Sequence, residues 1–290
     1  MSILIDKNTK VVVQGITGRE GSYHARLMSE YGTNVVAGSS PGKGGEAVFG
    51  IPVYNTVLEA VEEKGADTSV IFVPPKFAID AIYEGAEAGI KLIVCITEGI
   101  PSHDIMYALK RIEIFYPDTK IIGPNCPGII SPGDSLVGIM PGNVFMSGGV
   151  GIMSRSGTLT YQIAYDLTRK NIGQSTVIGV GGDPFIGLNF TDIVKMFNAD
   201  YRTKAICIIG EIGGSDEEDV SEYIKDNVEK PVVAYVAGQT APSGKKMGHA
   251  GAIVSSSRGT ADSKLSAFRE AGVGLVEVPY GVSGYISKFL

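Results

Sequence analysis

A chain of 290 residues, 44% of them hydrophobic, has material for one large or two medium domains, and its 39 glycines imply many tight turns and close backbone approaches. A net charge of −6 without a long basic run argues against nucleic acid as the main partner. No apolar run approaches the roughly 20 residues that cross a bilayer, so no membrane partner is expected, and the scattered Cys95, Cys126 and Cys207, at no metal-ligand or redox spacing, suit a reducing interior.

Met1 to Lys10 is charged and lacks the apolar segment of a signal peptide. From there to residue 125, β-rich runs alternate with helical periodicity. Strands are predicted at 11–14, 34–37, 69–73, 92–96 and 120–122, and helices at 21–31, 57–64, 77–89 and 103–115. Such alternation implies parallel strands joined by right-handed crossovers, hence a doubly wound sheet. Residues 123–149, dense in glycine and proline, read as a linker with turns of its own. The domain boundary is placed inside it, giving units 1–125 and 126–290. Strands resume at 151–154, 176–179, 205–209, 232–236, 252–255 and 274–278. The helix after Gly214 opens on Ser215-Asp216-Glu217-Glu218, which reads as a capping box. Val220, Ile224 and Val228 line one of its faces, and Pro231 follows its end.

The first strand runs into Gly15-Ile16-Thr17-Gly18-Arg19-Glu20-Gly21 and then a helix. A strand, a glycine turn and a helix N-terminus direct backbone N–H groups at an anion, although a tight turn alone also calls for glycine. An NAD site wants an acidic residue at the end of the second strand. No Asp or Glu lies between Glu30 and Glu46; the strand ends instead in Ser39-Ser40-Pro41-Gly42-Lys43-Gly44-Gly45. Lys43 suits a phosphate, which leaves NADP or coenzyme A, unless it is an ordinary solvated loop lysine. Ile96-Thr97-Glu98 lies at the end of the fourth predicted strand, where ligands of open α/β sheets bind, or else simply turns the chain and caps the next helix.

Of three histidines, His24 and His103 lie in helical patterns and read as structural or surface groups. His249 sits in Gly244-Lys245-Lys246-Met247-Gly248-His249-Ala250-Gly251, without bulky neighbours and beside two lysines. A neutral imidazole is a competent nucleophile, the lysines suit phosphate chemistry, and no second ligand lies at metal spacing. In Ser154-Arg155-Ser156-Gly157-Thr158, the N–H groups of Gly157 and Thr158 open a helix and are placed for a phosphate, with Ser156 either joining them or capping the helix. Glu211, at a strand end, can orient the imidazole by accepting a hydrogen bond from one ring nitrogen, leaving the other free to react.

Together these strings, with Gly123-Pro124-Asn125-Cys126-Pro127-Gly128, Gly181-Gly182-Asp183-Pro184 and Thr160-Tyr161, resemble the α subunits of succinate–CoA ligase over essentially the whole chain. The resemblance implies a Rossmann-like CoA-binding domain followed by a flavodoxin-like ligase domain, both with mainly parallel doubly wound sheets. It implies that Thr17, Gly18, Arg19, Glu20, Lys43, Ile96, Thr97 and Glu98 bind CoA, and it leaves Ser156, Gly157 and Thr158 as the phosphate site that the helix start suggests. By the same likeness Tyr161 meets the carboxylate substrate, His249 is phosphorylated and Glu211 holds its ring. No Walker-type phosphate loop occurs in the sequence; the family places ATP or GTP and Mg2+ on an ATP-grasp β subunit, with no metal on this chain. The partners implied are that subunit, succinate, CoA and phosphate. A prokaryotic cytoplasm is the expected compartment, with a processed mitochondrial-matrix protein as the alternative. The alternatives are a related acyl-CoA ligase acting on another carboxylic acid, an NADP-dependent oxidoreductase, which leaves the histidine loop unexplained, and a CoA-binding module without catalysis.

Overall fold

A computed structural model describes residues 2–240, 248–254 and 258–290. Its first seven-stranded sheet contains β1 (Lys10–Gln14), β2 (Asn34–Ser39), β3 (Ala47–Val48), β4 (Ile51–Tyr54), β5 (Thr68–Ile71), β6 (Leu92–Cys95) and β7 (Lys120–Ile122). The intervening helices are α1 (Arg19–Tyr31), α2 (Val57–Lys64), α3 (Pro75–Glu87) and α4 (Ser102–Phe115). The spatial order is β3-β4-β2-β1-β5-β6-β7, all parallel except the short edge strand β3. Without β3 this is the Rossmann order, and it reverses direction between β1 and β5. Val11, Val12 and Val13 are fully buried, as expected of a central parallel strand covered on both faces.

The second seven-stranded sheet holds β8 (Gly128–Ser131), β9 (Ser135–Gly138), β10 (Ser147–Ser154), β11 (Gln174–Gly179), β12 (Ala205–Glu211), β13 (Val232–Ala237) and β14 (Gly274–Leu275). Helices α5 (Gly157–Arg169), α6 (Phe190–Ala199), α7 (Asp216–Asn227), α8 (Ala261–Glu270) and α9 (Gly281–Ile286) accompany it. Its order is β14-β13-β12-β10-β11-β8-β9. The five parallel strands thus follow the flavodoxin order and reverse between β10 and β12. Every residue of β12 is buried, and Phe190 and Phe197 of α6 are fully enclosed, each contributing roughly 2–3 kcal/mol of apolar burial.

Three expectations need correction. Residues 123–149 are not a linker: β8 and β9 form an antiparallel hairpin that pairs with β11 at the edge of the second sheet. That hairpin is tied to the first unit, since Thr33 Oγ1 donates to Leu136 O at 2.7 Å and accepts its N–H at 2.9 Å. One apolar core, including Val11, Met28, Leu136, Val150 and Ile208, therefore runs through both sheets. Residues 252–254 form no strand, and Ser255 lies outside the described residues. The capping box is absent. Ser215 Oγ donates to Asp219 Oδ2 at 2.8 Å, while Glu218 turns inward to accept the Gly259 N–H at 2.8 Å.

Candidate functional site

The two sheets bring chemistry to their two switch points. At the first, Gly18 precedes α1, no side chain caps the helix, and Thr17, Gly18, Arg19 and Glu20 are all exposed. The first-turn N–H groups of this helix therefore face outward with the positive end of its dipole. Thr17 Oγ1 donates to Ser40 Oγ at 2.9 Å, which joins this turn to the loop that carries Lys43. Asn55 Oδ1 shapes that loop by accepting the N–H groups of Gly42 and Gly44, each at 3.0 Å. Lys43 is half-exposed and pairs with Glu46 at 3.1 Å, so its ammonium can exchange one anion for another. Ile96, Thr97 and Glu98 follow β6, and Thr97 Oγ1 donates to Val73 O at 2.8 Å. Glu20, Ile96, Thr97 and Glu98 line one pocket of roughly 250 Å³ with His24, Phe72, Val73, Pro75 and Ile139. His24 was read from sequence as structural or surface. It is stacked on Phe72 with ring centroids 5.4 Å apart, and burial lowers its pKa, so it faces the pocket as a largely neutral ring.

At the second switch point, β10 ends and the chain turns into α5. Ser156 caps this helix, its Oγ accepting the Leu159 N–H at 3.3 Å, and its own N–H donates to Ser154 Oγ at 3.0 Å. The capping alternative thus describes the Ser156 side chain. Gly157 and Thr158 are the first residues of α5, whose leading N–H groups have no intrahelical acceptor. Tyr161 lies one turn further on, half-buried with its ring edge-on to Phe145. Burial pushes its phenol up to about 12, so it is a neutral hydrogen-bond donor at pH 7.

Glu211 closes β12, and the loop residue His249 reaches it. His249 Nδ1 is 2.8 Å from Glu211 Oε2 and 3.1 Å from Oε1, with Glu211 buried and the imidazole partly exposed. A carboxylate only accepts, so Nδ1 carries the proton and the Nε2 lone pair is available for bonding in the neutral ring. The hydrogen bond to Glu211 raises the His249 pKa above the usual value against burial and the Arg155 charge, which lower it; Glu98 adds to the rise. Gly182 packs under the imidazole: a Cβ there would lie 2.6 Å from His249 Cγ and 2.9 Å from Nδ1. Gly182 O accepts the Gly251 N–H at 2.9 Å, its N–H donates to Asn125 O at 3.1 Å, and Asn125 N–H donates to Thr97 O at 3.0 Å. Backbone hydrogen bonds thus connect the histidine loop to the pocket beside β6.

Sequence reasoning missed Arg155, a buried guanidinium that pairs with Asp216 at 2.6 Å and lies within electrostatic reach of His249. Its signal was its place between two serines at a strand–helix turn. Gly182 carried no signal of its own. Lys245 and Lys246 lie outside the described residues. Among the described residues, no group of three or more His, Cys, Asp or Glu is arranged to hold a metal ion, and no helix is long and apolar enough to cross a membrane.

Two family models match: a CoA binding domain over residues 6–99 and a CoA-ligase over residues 153–274. The chain is 57% identical to the succinate–CoA ligase [ADP-forming] subunit alpha of Aquifex aeolicus over all of this chain and 95% of that one. It is 56% identical to subunit alpha 1 from Archaeoglobus fulgidus, over all of this chain and 99% of that relative. A solved structure of a Methanosaeta concilii ATP citrate lyase variant in complex with (3S)-citryl-CoA superposes with a TM-score of 0.89 at 26% identity. That likeness covers 99% of this chain and 51% of the longer lyase chain.

Proposed function

Because the chain belongs to the family of succinate–CoA ligase [ADP-forming] alpha subunits, we propose that His249 is its phosphoryl carrier and Glu211 the group that holds the ring. The observation that carries this reading is the Nδ1–carboxylate contact at 2.8 Å, which leaves Nε2 as the nucleophilic nitrogen. Nε2 takes the γ-phosphoryl group of a nucleoside triphosphate and the nucleoside diphosphate leaves. A succinate carboxylate oxygen then attacks phosphorus, the N–P bond breaks, and succinyl phosphate forms. The CoA thiolate attacks its acyl carbon and expels phosphate, giving succinyl-CoA. Division into three displacements replaces one unfavourable coupling with steps that a positioned nucleophile can run in either direction.

The first unit, residues 1–125, binds CoA in this reading, and residues 126–290 carry the phosphoryl relay. Thr17 to Glu20 and Lys43 meet the phosphates, Ile96 to Glu98 line the path of the reactive end, and Tyr161 donates to the substrate carboxylate. The α5 amides of Gly157 and Thr158, with the Ser156 turn, receive the phosphoryl oxygens. A beta subunit with an ATP-grasp fold supplies the nucleotide and Mg2+, and the complex works in the cytoplasm. The Aquifex aeolicus and Archaeoglobus fulgidus relatives are ADP-forming ligases.

The test combines the chain with its beta subunit, Mg2+ and γ-labelled ATP. Acid-labile, base-stable label on wild type and none on His249→Ala is expected. Equal labelling of the two proteins would refute the assignment.

A further inference from the structure

Behind Glu211 lies a buried ion-pair cluster with no part in the roles above. Glu217 and Lys264 are fully buried, and Glu218 nearly so. Lys264 Nζ, from α8, pairs with Glu217 Oε2 and, at 3.2 Å, with Glu218 Oε2. It also donates to Gly214 O at 3.3 Å. The other oxygen of Glu217, Oε1, accepts the backbone N–H of Glu211 at 3.0 Å.

That acceptor answers a need created by the sheet. Ile209 O still accepts the Arg155 N–H at 3.1 Å on the β10 side. In a parallel ladder, the N–H two residues on points to the same edge. At Glu211 that edge has run past the end of β10, and Glu217 replaces the missing strand. Gly210 leaves the space, since a Cβ there would lie 2.6 Å from Glu217 Oε1 and 2.8 Å from its Cγ. Glu218 serves the chain beyond the histidine loop, with Oε1 accepting the Gly259 N–H at 2.8 Å while Gly259 O accepts the Gly213 N–H at 2.8 Å. Buried ion pairs are poor sources of net stability compared with apolar side chains of similar volume. One whose carboxylates bind backbone amides on both sides of the histidine site is better explained by placement.

We propose that Glu217, held by Lys264, is a positioning residue that fixes Glu211, and through it the His249 ring, by accepting the Glu211 amide. The proposal rests on the reading of His249 as phosphoryl carrier. Two double variants assembled with the beta subunit isolate the acceptor. Glu217→Leu with Lys264→Met removes charge and acceptor together, whereas Glu217→Gln with Lys264→Met removes the charge and keeps an acceptor oxygen. The leucine pair is expected to lower kcat and the His249 labelling rate about tenfold, with KM for CoA within about twofold of wild type. The glutamine pair is expected to restore both rates to within about threefold of wild type. Equal rates in the two double variants, high or low, would overturn the proposal. Should the leucine pair fail to assemble, the glutamine pair decides alone: near-wild-type labelling supports the proposal, and a loss as deep as that of Glu211→Gln overturns it. Label that survives His249→Ala would instead remove the underlying reading.

Discussion

Gly182→Ala tests whether the imidazole must sit where it does. The added Cβ would lie 2.6 Å from His249 Cγ, whereas ordinary contacts begin at 3.4 Å, so the ring must retreat by about 0.8 Å. Gly182 cannot yield easily, because its N–H and C=O are held by Asn125 and Gly251. Its φ lies outside the left-handed region, so alanine adds no backbone strain. A misplacement near 1 Å at a reacting group lowers rates by about 100-fold, or roughly 2.7 kcal/mol of transition-state stabilisation. Single-turnover labelling with γ-labelled ATP and the beta subunit reads this directly, with CoA affinity as the control for folding. A Gly182→Ala enzyme that phosphorylates at the wild-type rate would refute the idea that this contact fixes the ring.

Three further outcomes follow from the geometry. Glu211 stabilises the imidazolium, so the labelling rate, which needs the neutral ring, should rise with pH through a pKa above the ordinary 6.5. Glu211→Gln should move that limb to lower pH and lower the plateau about tenfold, measured as label against pH; an unmoved limb contradicts the pairing. Lys43→Ala should weaken CoA roughly threefold to tenfold at low salt and leave 3′-dephospho-CoA unaffected, by calorimetry. Equal weakening of both would take Lys43 away from the ribose phosphate. Tyr161→Phe should raise KM for succinate about tenfold with KM for CoA unchanged, as loss of one buried donor implies; steady-state kinetics with unchanged succinate KM would exclude that contact.

Much of the fold could be read from periodicity. Val11 to Val13 announced a strand, which the structure buries at the centre of its sheet, and the alternation of strands and helices implied two parallel sheets, which the strand orders bear out. The β8–β9 hairpin was hidden because its four-residue strands lie in a segment rich in glycine and proline, where turn signals outweigh alternation. The misread capping box has a different cause. Ser215 and Glu218 have the right spacing, but the fate of Glu218 is decided by Lys264 and Gly259, which only the packing of α8 brings close. Lys264 itself carried no signal, since a lysine on an amphipathic helix ordinarily reads as solvated. His249 was legible for the opposite reason. Its neighbours are small, so it stands out in the sequence, and Glu211 stood out as a carboxylate at a strand end; that the two meet, through Nδ1 at 2.8 Å, comes only from the fold.

The most direct test of the account is the position of the phosphoryl group on the ring. Phosphorus NMR of the labelled complex, with peptide mapping, distinguishes the two ring nitrogens of His249. The Glu211 contact at Nδ1 requires attachment at Nε2. A phosphoryl group on Nδ1, or on any other residue of the chain, would contradict it.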